Sequence, residues 1–242
     1  MTRHLPNFIT LLNLFTGCWA LVMLFQGNPE DAAWLVFLSA VFDLLDGFLA
    51  RALHVQSPIG KQLDSLADMV TFGLIPGVVM YQLLQQSDLS AWVQQGAIKE
   101  FVSYLPFVVT LFSALRLAKF NVDERQTKEF IGLPTPANTL WVISLPLILL
   151  NRPGEWDFIL RSAPVILMLC VISSWLLVAE IPLFSFKFSG WSWQANNYPY
   201  LLIIISLPLL LFFSFAALPP IIGFYVLLSL IRNQRTVNSK TP

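Results

Sequence analysis

Asp43, Asp46, Asp64 and Asp68 stand in segments otherwise apolar enough to cross a membrane, and Gly47, Ala50, Arg51 and Gly60 are interleaved with them. An ionised carboxylate in hydrocarbon is costly, so four of them require a charge partner. Their spacing shows how they could share one. Asp43, Asp46, Gly47, Ala50 and Arg51 follow at i, i+3, i+4, i+7 and i+8, one stripe of a helix with about 3.6 residues per turn. Gly60, Asp64 and Asp68 repeat at i, i+4 and i+8, again one stripe. Two facing stripes bring the carboxylates together across an interhelical groove. Gly47, Ala50 and Gly60 add almost no side chain there, so a bulky substrate can approach the backbone. Oxygen ligands alone suit a hard cation such as Mg²⁺ or Mn²⁺. Two such ions could bridge a pyrophosphate and stabilise the attacking and leaving oxygens. Arg51 offers planar donors to phosphate oxygens. These are the parts of a phosphoryl-transfer site that works by positioning and charge neutralisation.

The elements that must hold these groups are membrane helices. The 242 residues are 56% hydrophobic and only 12% charged, against about 25% charged in a soluble domain. The fold class expected is all-α, a polytopic helix bundle. Apolar runs place helices near 6–27, 32–53, 61–85, 100–119, 136–151, 160–182, 198–216 and 218–232, each read against the ~20 residues of a span. Leu218-Pro219-Pro220 marks a tight hairpin between the last two. The first run lacks a small-residue cleavage site and reads as a retained helix rather than a signal peptide. A formal net charge of zero gives no overall basic character for nucleic acid. Cys18 and Cys170 form no Cys-x-x-Cys pair and read as small hydrophobes.

Eight spans put Arg3, Arg51, Lys61, Arg116, Lys119, Arg125, Lys128, Lys187, Arg232, Arg235 and Lys240 on one side. Only Lys99, Arg152 and Arg161 fall on the other. The positive-inside rule makes the first side cytoplasmic, with the acidic cluster at that end of the second and third helices. The expected location is the cell (inner) membrane. Trp191, Trp193, Tyr198 and Tyr200 read as an aromatic belt. His4 and His54 belong to no catalytic pair.

Asp43-x-x-Asp46-Gly47-x-x-Ala50-Arg51, eight residues, then Gly60-x-x-x-Asp64-x-x-x-Asp68 resembles the CDP-alcohol phosphotransferase motif at every defined position. Further strings resemble the serine-accepting O-phosphatidyltransferase branch of bacteria and archaea. They are Gln62 to Asp68 with Thr71-Phe72-Gly73 and Pro76, and Arg116-Leu117-Ala118-Lys119-Phe120-Asn121. Phe130-x-Gly132-Leu133-Pro134-x-Pro136, Ile181-Pro182 with Ser185-Phe186-Lys187, and Pro6-Asn7-x-x-Thr10 also match. Thr71 stands where serine is more usual, and Lys119 where arginine is common. Both swaps keep the hydroxyl or the charge, although Lys119 lacks bidentate geometry.

The resemblance implies a six-helix core over residues 1–187 and a C-terminal extension, 188–242, with a helical hairpin. It implies a membrane enzyme that moves a phosphatidyl group from CDP-diacylglycerol to L-serine and releases CMP, and a homodimer. Asp43, Asp46, Asp64 and Asp68 would be the metal ligands, for two Mg²⁺ or Mn²⁺ ions. Asp68 is the candidate general base. Asp46, Gly47, Ala50, Arg51 and Gly60 would line the CDP part of the donor, with Asn7 and Thr10 near its phosphates. Arg116, Lys119 and Asn121 would receive the acceptor, a cation holding the serine carboxylate. For Arg116 and Lys119 the competing reading is positive-inside anchoring; for Asn7 and Thr10 it is helix capping or headgroup contact. Gly132, Pro134 and Pro136 are expected to shape a loop. The same core motif would serve another acceptor, such as glycerol 3-phosphate, inositol phosphate or choline. A cation transporter could also use four buried acids, but that reading leaves the glycines and Ala50-Arg51 unexplained.

Overall fold

A computed structural model describes residues 4–93, 96–123, 130–184 and 193–238. Two helices begin the chain, α1 (Leu5–Phe25) and α2 (Pro29–Ala52), both with proline in the first turn. There the missing N–H costs nothing and the fixed φ suits the helix. The third span is composite. It runs through α3 (Pro58–Asp68), a π-helical turn (Met69–Leu74) and α4 (Ile75–Gln85). The short α5 (Leu89–Trp92) follows, and then α6 (Ala97–Tyr104), a 3₁₀ turn (Leu105–Phe107) and α7 (Val108–Val122) form the fourth span. After β1 (Phe130–Ile131) come α8 (Thr135–Asn151), α9 (Asp157–Leu160) and α10 (Ala163–Val178). β2 (Pro182–Leu183) pairs antiparallel with β1, Phe130 opposite Leu183. The chain closes with α11 (Trp193–Phe213), a 3₁₀ turn (Ser214–Ala217) and α12 (Leu218–Asn238).

Among the described residues the bundle is all-α apart from that short ladder. Among the described residues, five helices are long and apolar enough to cross a membrane, and α8 and α10 are shorter apolar helices. The expected eight spans differ in detail for physical reasons. Asn196–Gln234 is one apolar stretch, folded back where Ser214 adopts φ 49°. As a result Tyr198 of α11 and Tyr225 of α12 both reach Phe184. The prolines Pro219 and Pro220 then sit in the first turn of α12. The run expected at 160–182 stops at Val178 because residues 182–183 are drawn into the ladder with β1. Arg3, Arg125, Lys128, Ser185, Phe186, Lys187, Trp191 and Lys240 lie outside the described residues.

The core is built on the composite third span. Phe72, Ile75, Met80 and Leu84 are fully buried there, against α1, α7 and α8. Close helix approach depends on missing side chains. A Cβ on Gly17 would fall 2.2 Å from Thr71 Oγ1, and one on Gly77 would fall 2.2 Å from Thr110 Oγ1. Pro76 supplies no N–H to the Phe72 carbonyl four residues back. Thr139 Oγ1 of α8 donates to that carbonyl at 2.8 Å, which joins α8 to the third span.

Candidate active site

α1 packs along both α2 and α3, the helices that carry the acids, and a cavity of about 630 Å³ opens between the two. Asp43, Asp46, Gly47, Ala50 and Arg51 line it from α2; Gly60, Lys61 and Asp64 line it from α3; Asn7 and Thr10 line it from α1. Both stripes therefore face the same opening. A Cβ on Gly47 would meet nothing within 4 Å among the described residues, so this glycine keeps space free. Gly60 works differently, because a Cβ there would lie 3.0 Å from Asn7 Oδ1. Its bare backbone makes room for Asn7.

Asp43, Asp64 and Asp68 each offer a carboxylate oxygen within 4.8 Å of the others. Ionised together at that spacing, each pair repels by about 3 kcal/mol at an effective dielectric near 20. A divalent cation offsets this, and three hard oxygens form a donor set that Mg²⁺ or Mn²⁺ accepts. The three residues thus fit a metal. Asp46 lies outside this triad although it lines the same cavity. Thr10 Oγ1 donates to its Oδ2 at 2.5 Å, with the Pro6 carbonyl 3.1 Å from the same hydroxyl. Thr10 is therefore tied to a carboxylate rather than to the helix terminus.

Asp68 is almost fully buried and does not line the cavity. Asn13 of α1 donates from Nδ2 to Asp68 Oδ1 at 3.2 Å. The backbone carbonyl of Asn13 in turn accepts from Thr16 at 3.0 Å, Ser39 at 3.4 Å and Thr71 at 3.4 Å. Hydroxyls from α1, α2 and the π turn thus converge on one residue. Sequence reasoning missed Asn13. The available signal was the run of polar residues Thr10, Asn13 and Thr16 at i, i+3 and i+6 in an apolar segment, all on the buried face of α1.

The residues expected to receive the acceptor divide. Arg116 is 6% exposed. Its guanidinium lies 5.1 Å from the Phe120 ring centre and donates from Nη1 to Thr135 Oγ1 at 3.3 Å, while Nε has no hydrogen-bond partner among the described residues. It is within electrostatic reach of Asp68 and Asp43. Arg116 and Lys119 line another, small pocket with Asp123, Glu180, Ile131, Leu177 and Val178. Asn121 is placed otherwise. Its Nδ2 donates to Ser65 Oγ at 2.7 Å, and its carbonyl accepts from Lys61 Nζ at 2.6 Å. It ties α7 to α3 and lines neither pocket.

The sequence model of the CDP-alcohol phosphatidyltransferase family matches residues 3–185. A Helicobacter pylori protein (strain 26695) named CDP-diacylglycerol–serine O-phosphatidyltransferase is 30% identical over 230 residues, 94% of this chain and 90% of its own. A Mycobacterium leprae protein of the same name is 35% identical over 159 residues, 63% of this chain and 49% of its own. A Bacillus subtilis protein, again so named, is 31% identical over 141 residues, 55% and 70% respectively. The chain thus spans about half the length of the mycobacterial protein and nine-tenths of the Helicobacter one. With the motif's two stripes facing one cavity and the match running across most of the chain, the protein belongs to the CDP-alcohol phosphatidyltransferase family.

Proposed function

We propose that this protein transfers the phosphatidyl group of CDP-diacylglycerol to the hydroxyl of L-serine, giving phosphatidylserine and CMP. The observation that carries the reading is the meeting of Asp43, Asp64 and Asp68 beside a cavity lined by the rest of the motif. The names of the relatives support serine as the acceptor.

Asp43, Asp64 and Asp68 would hold a divalent cation, with Asp46 available to a second. Bound there, Mg²⁺ or Mn²⁺ supplies positive charge against the pyrophosphate oxygens and the departing CMP. The chain's own groups do the rest. Arg51 and Lys61 at the cavity wall meet the phosphates with further positive charge. Thr10 fixes the Asp46 carboxylate, and Asn13 fixes that of Asp68. Asp68 takes the proton from the serine hydroxyl as its oxygen bonds to the phosphorus that bears diacylglycerol. The bond from that phosphorus to the bridging oxygen breaks, and CMP leaves with the oxygen. The serine carboxylate pairs with Arg116 and Lys119, which orients the hydroxyl. Asn121 supports this arrangement from outside, by holding α3 through Ser65 and Lys61.

The basic residues favour a cytoplasmic opening in the cell membrane. The homodimer implied by the resemblance belongs to the same proposal, and the mass of the purified protein in detergent tests it. The decisive experiment incubates purified protein with CDP-diacylglycerol and labelled serine, with and without a chelator. Metal-dependent phosphatidylserine formation with inversion at phosphorus is expected. Preference for glycerol 3-phosphate, inositol phosphate or choline would overturn the serine assignment, and retention at phosphorus would overturn the single displacement.

A further inference from the structure

The family match ends at residue 185, yet α12 is fastened to the last residues before that point. Tyr225 Oη donates to the Phe184 carbonyl at 2.8 Å, and the two rings meet edge to face with centres 5.0 Å apart. Tyr225 is 5% exposed, so water does not compete for this bond. Two turns further along, Asn233 Nδ2 donates to the Pro182 carbonyl at 2.7 Å. Both acceptors lie on or beside β2.

β2 backs the acceptor side without lining it. It pairs with β1, and Ile131 of β1 lines the Arg116 pocket together with Leu177, Val178 and Glu180 from the segment leading into β2. Gly132 locks these pieces together. Its N–H donates to the Ile181 carbonyl at 3.0 Å. Its φ is 75°, and a Cβ there would fall 2.5 Å from the Leu177 carbonyl oxygen. A ladder of two residues per strand is marginal by itself. Here it is held from the outside by α12, whose Tyr225 is also within electrostatic reach of Arg116.

We infer that Tyr225 and Asn233 are positioning residues for the acceptor alcohol: by holding the Pro182 and Phe184 carbonyls they keep Ile131 and Glu180 against Arg116 and Lys119. The C-terminal hairpin is then part of the acceptor site rather than an appendage to the helical core. This rests on the placement of serine at Arg116 proposed above.

The test uses the full chain, purified in lipid nanodiscs, with Tyr225→Phe, Asn233→Ala and the double variant. Tyr225→Phe keeps the ring and its packing on Phe184 and removes one hydrogen bond. Expected is a serine KM raised about tenfold in the double variant, each lost bond counting for roughly a factor of three. The KM for CDP-diacylglycerol should stay unchanged. A serine KM equal to wild type in variants that remain monodisperse overturns the inference. So does a parallel loss in both KM values and kcat, which marks a hairpin that only supports the fold. Two controls separate this from the functional reading. A wild-type protein that does not use serine, or an Arg116→Gln variant with unchanged serine KM, overturns the acceptor placement itself and the inference with it.

Discussion

Asn13 reaches Asp68 from the opposite helix, Nδ2 to Oδ1 at 3.2 Å, and it does so from a position with no solvent exposure. With three hydroxyls gathered on its own carbonyl, Asn13 has little freedom to swing away. That bond fixes the orientation of the Asp68 carboxylate. Asn13→Ala removes a hydrogen bond to a charged group, a loss of roughly 1.5–3 kcal/mol. The expected result is a fall in kcat of about 10- to 100-fold, with the CDP-diacylglycerol KM nearly unchanged. CMP release measured at varied donor concentration checks it, and a change confined to KM contradicts it.

The triad of Asp43, Asp64 and Asp68 makes a metal prediction. Asp64→Asn keeps size and removes a charge. It should abolish CMP release while the protein still inserts and purifies normally. Wild-type enzyme stripped with chelator should be silent and recover on adding Mg²⁺ or Mn²⁺. Near-normal turnover by Asp64→Asn would remove the metal assignment.

Two glycines should answer oppositely to the same change. A Cβ on Gly47 has open space, whereas one on Gly17 would collide with Thr71. Gly47→Val should therefore leave the thermal midpoint near wild type and raise the KM for CDP-diacylglycerol, because it intrudes on the cavity. Gly17→Val should destabilise by about 1–3 kcal/mol as an overpacked contact. Thermal unfolding in detergent, set beside donor kinetics, separates the two effects.

Thr139 offers a prediction about the fold alone. Thr139→Val removes the hydroxyl that serves the Phe72 carbonyl without changing shape. The buried carbonyl then loses a partner, which costs about 1–3 kcal/mol. The midpoint of denaturation should fall while KM for both substrates holds. An unchanged midpoint would show that the carbonyl is satisfied without Thr139.

The acidic stripes are legible in the sequence because helical periodicity alone sets which residues share a face, and Asp43 with Asp46 and Gly60 with Asp64 obey it. The eight apolar runs are legible for a similar reason, since hydrocarbon thickness sets their length. Two features resist such reading. The π turn after Asp68 changes the period without altering composition, so Met69–Leu74 looks like ordinary helix. The roles of Asn13 and Tyr225 depend on partners 55 and 41 residues away, and no local pattern encodes such a pairing. Asn121 teaches the converse. It stands in a string shared with Arg116 and Lys119, yet one turn of helix sends it to Ser65 instead.

The wide turn between Asp68 and Ile75 also sets a rule for how this chain can change its length. It takes up one residue more than an α-helix would over the same distance. Deleting a single residue there would rewind the segment into ordinary α-helix and leave the upstream and downstream faces in nearly their present relation, whereas a deletion inside the regular turns of α3 would rotate what precedes it by about 100°. In the first case the carboxylates of α3 would keep facing the opening while Phe72, Ile75 and Met80 stayed in the core. A one-residue deletion in this stretch should therefore cost far less activity than the same deletion inside α3.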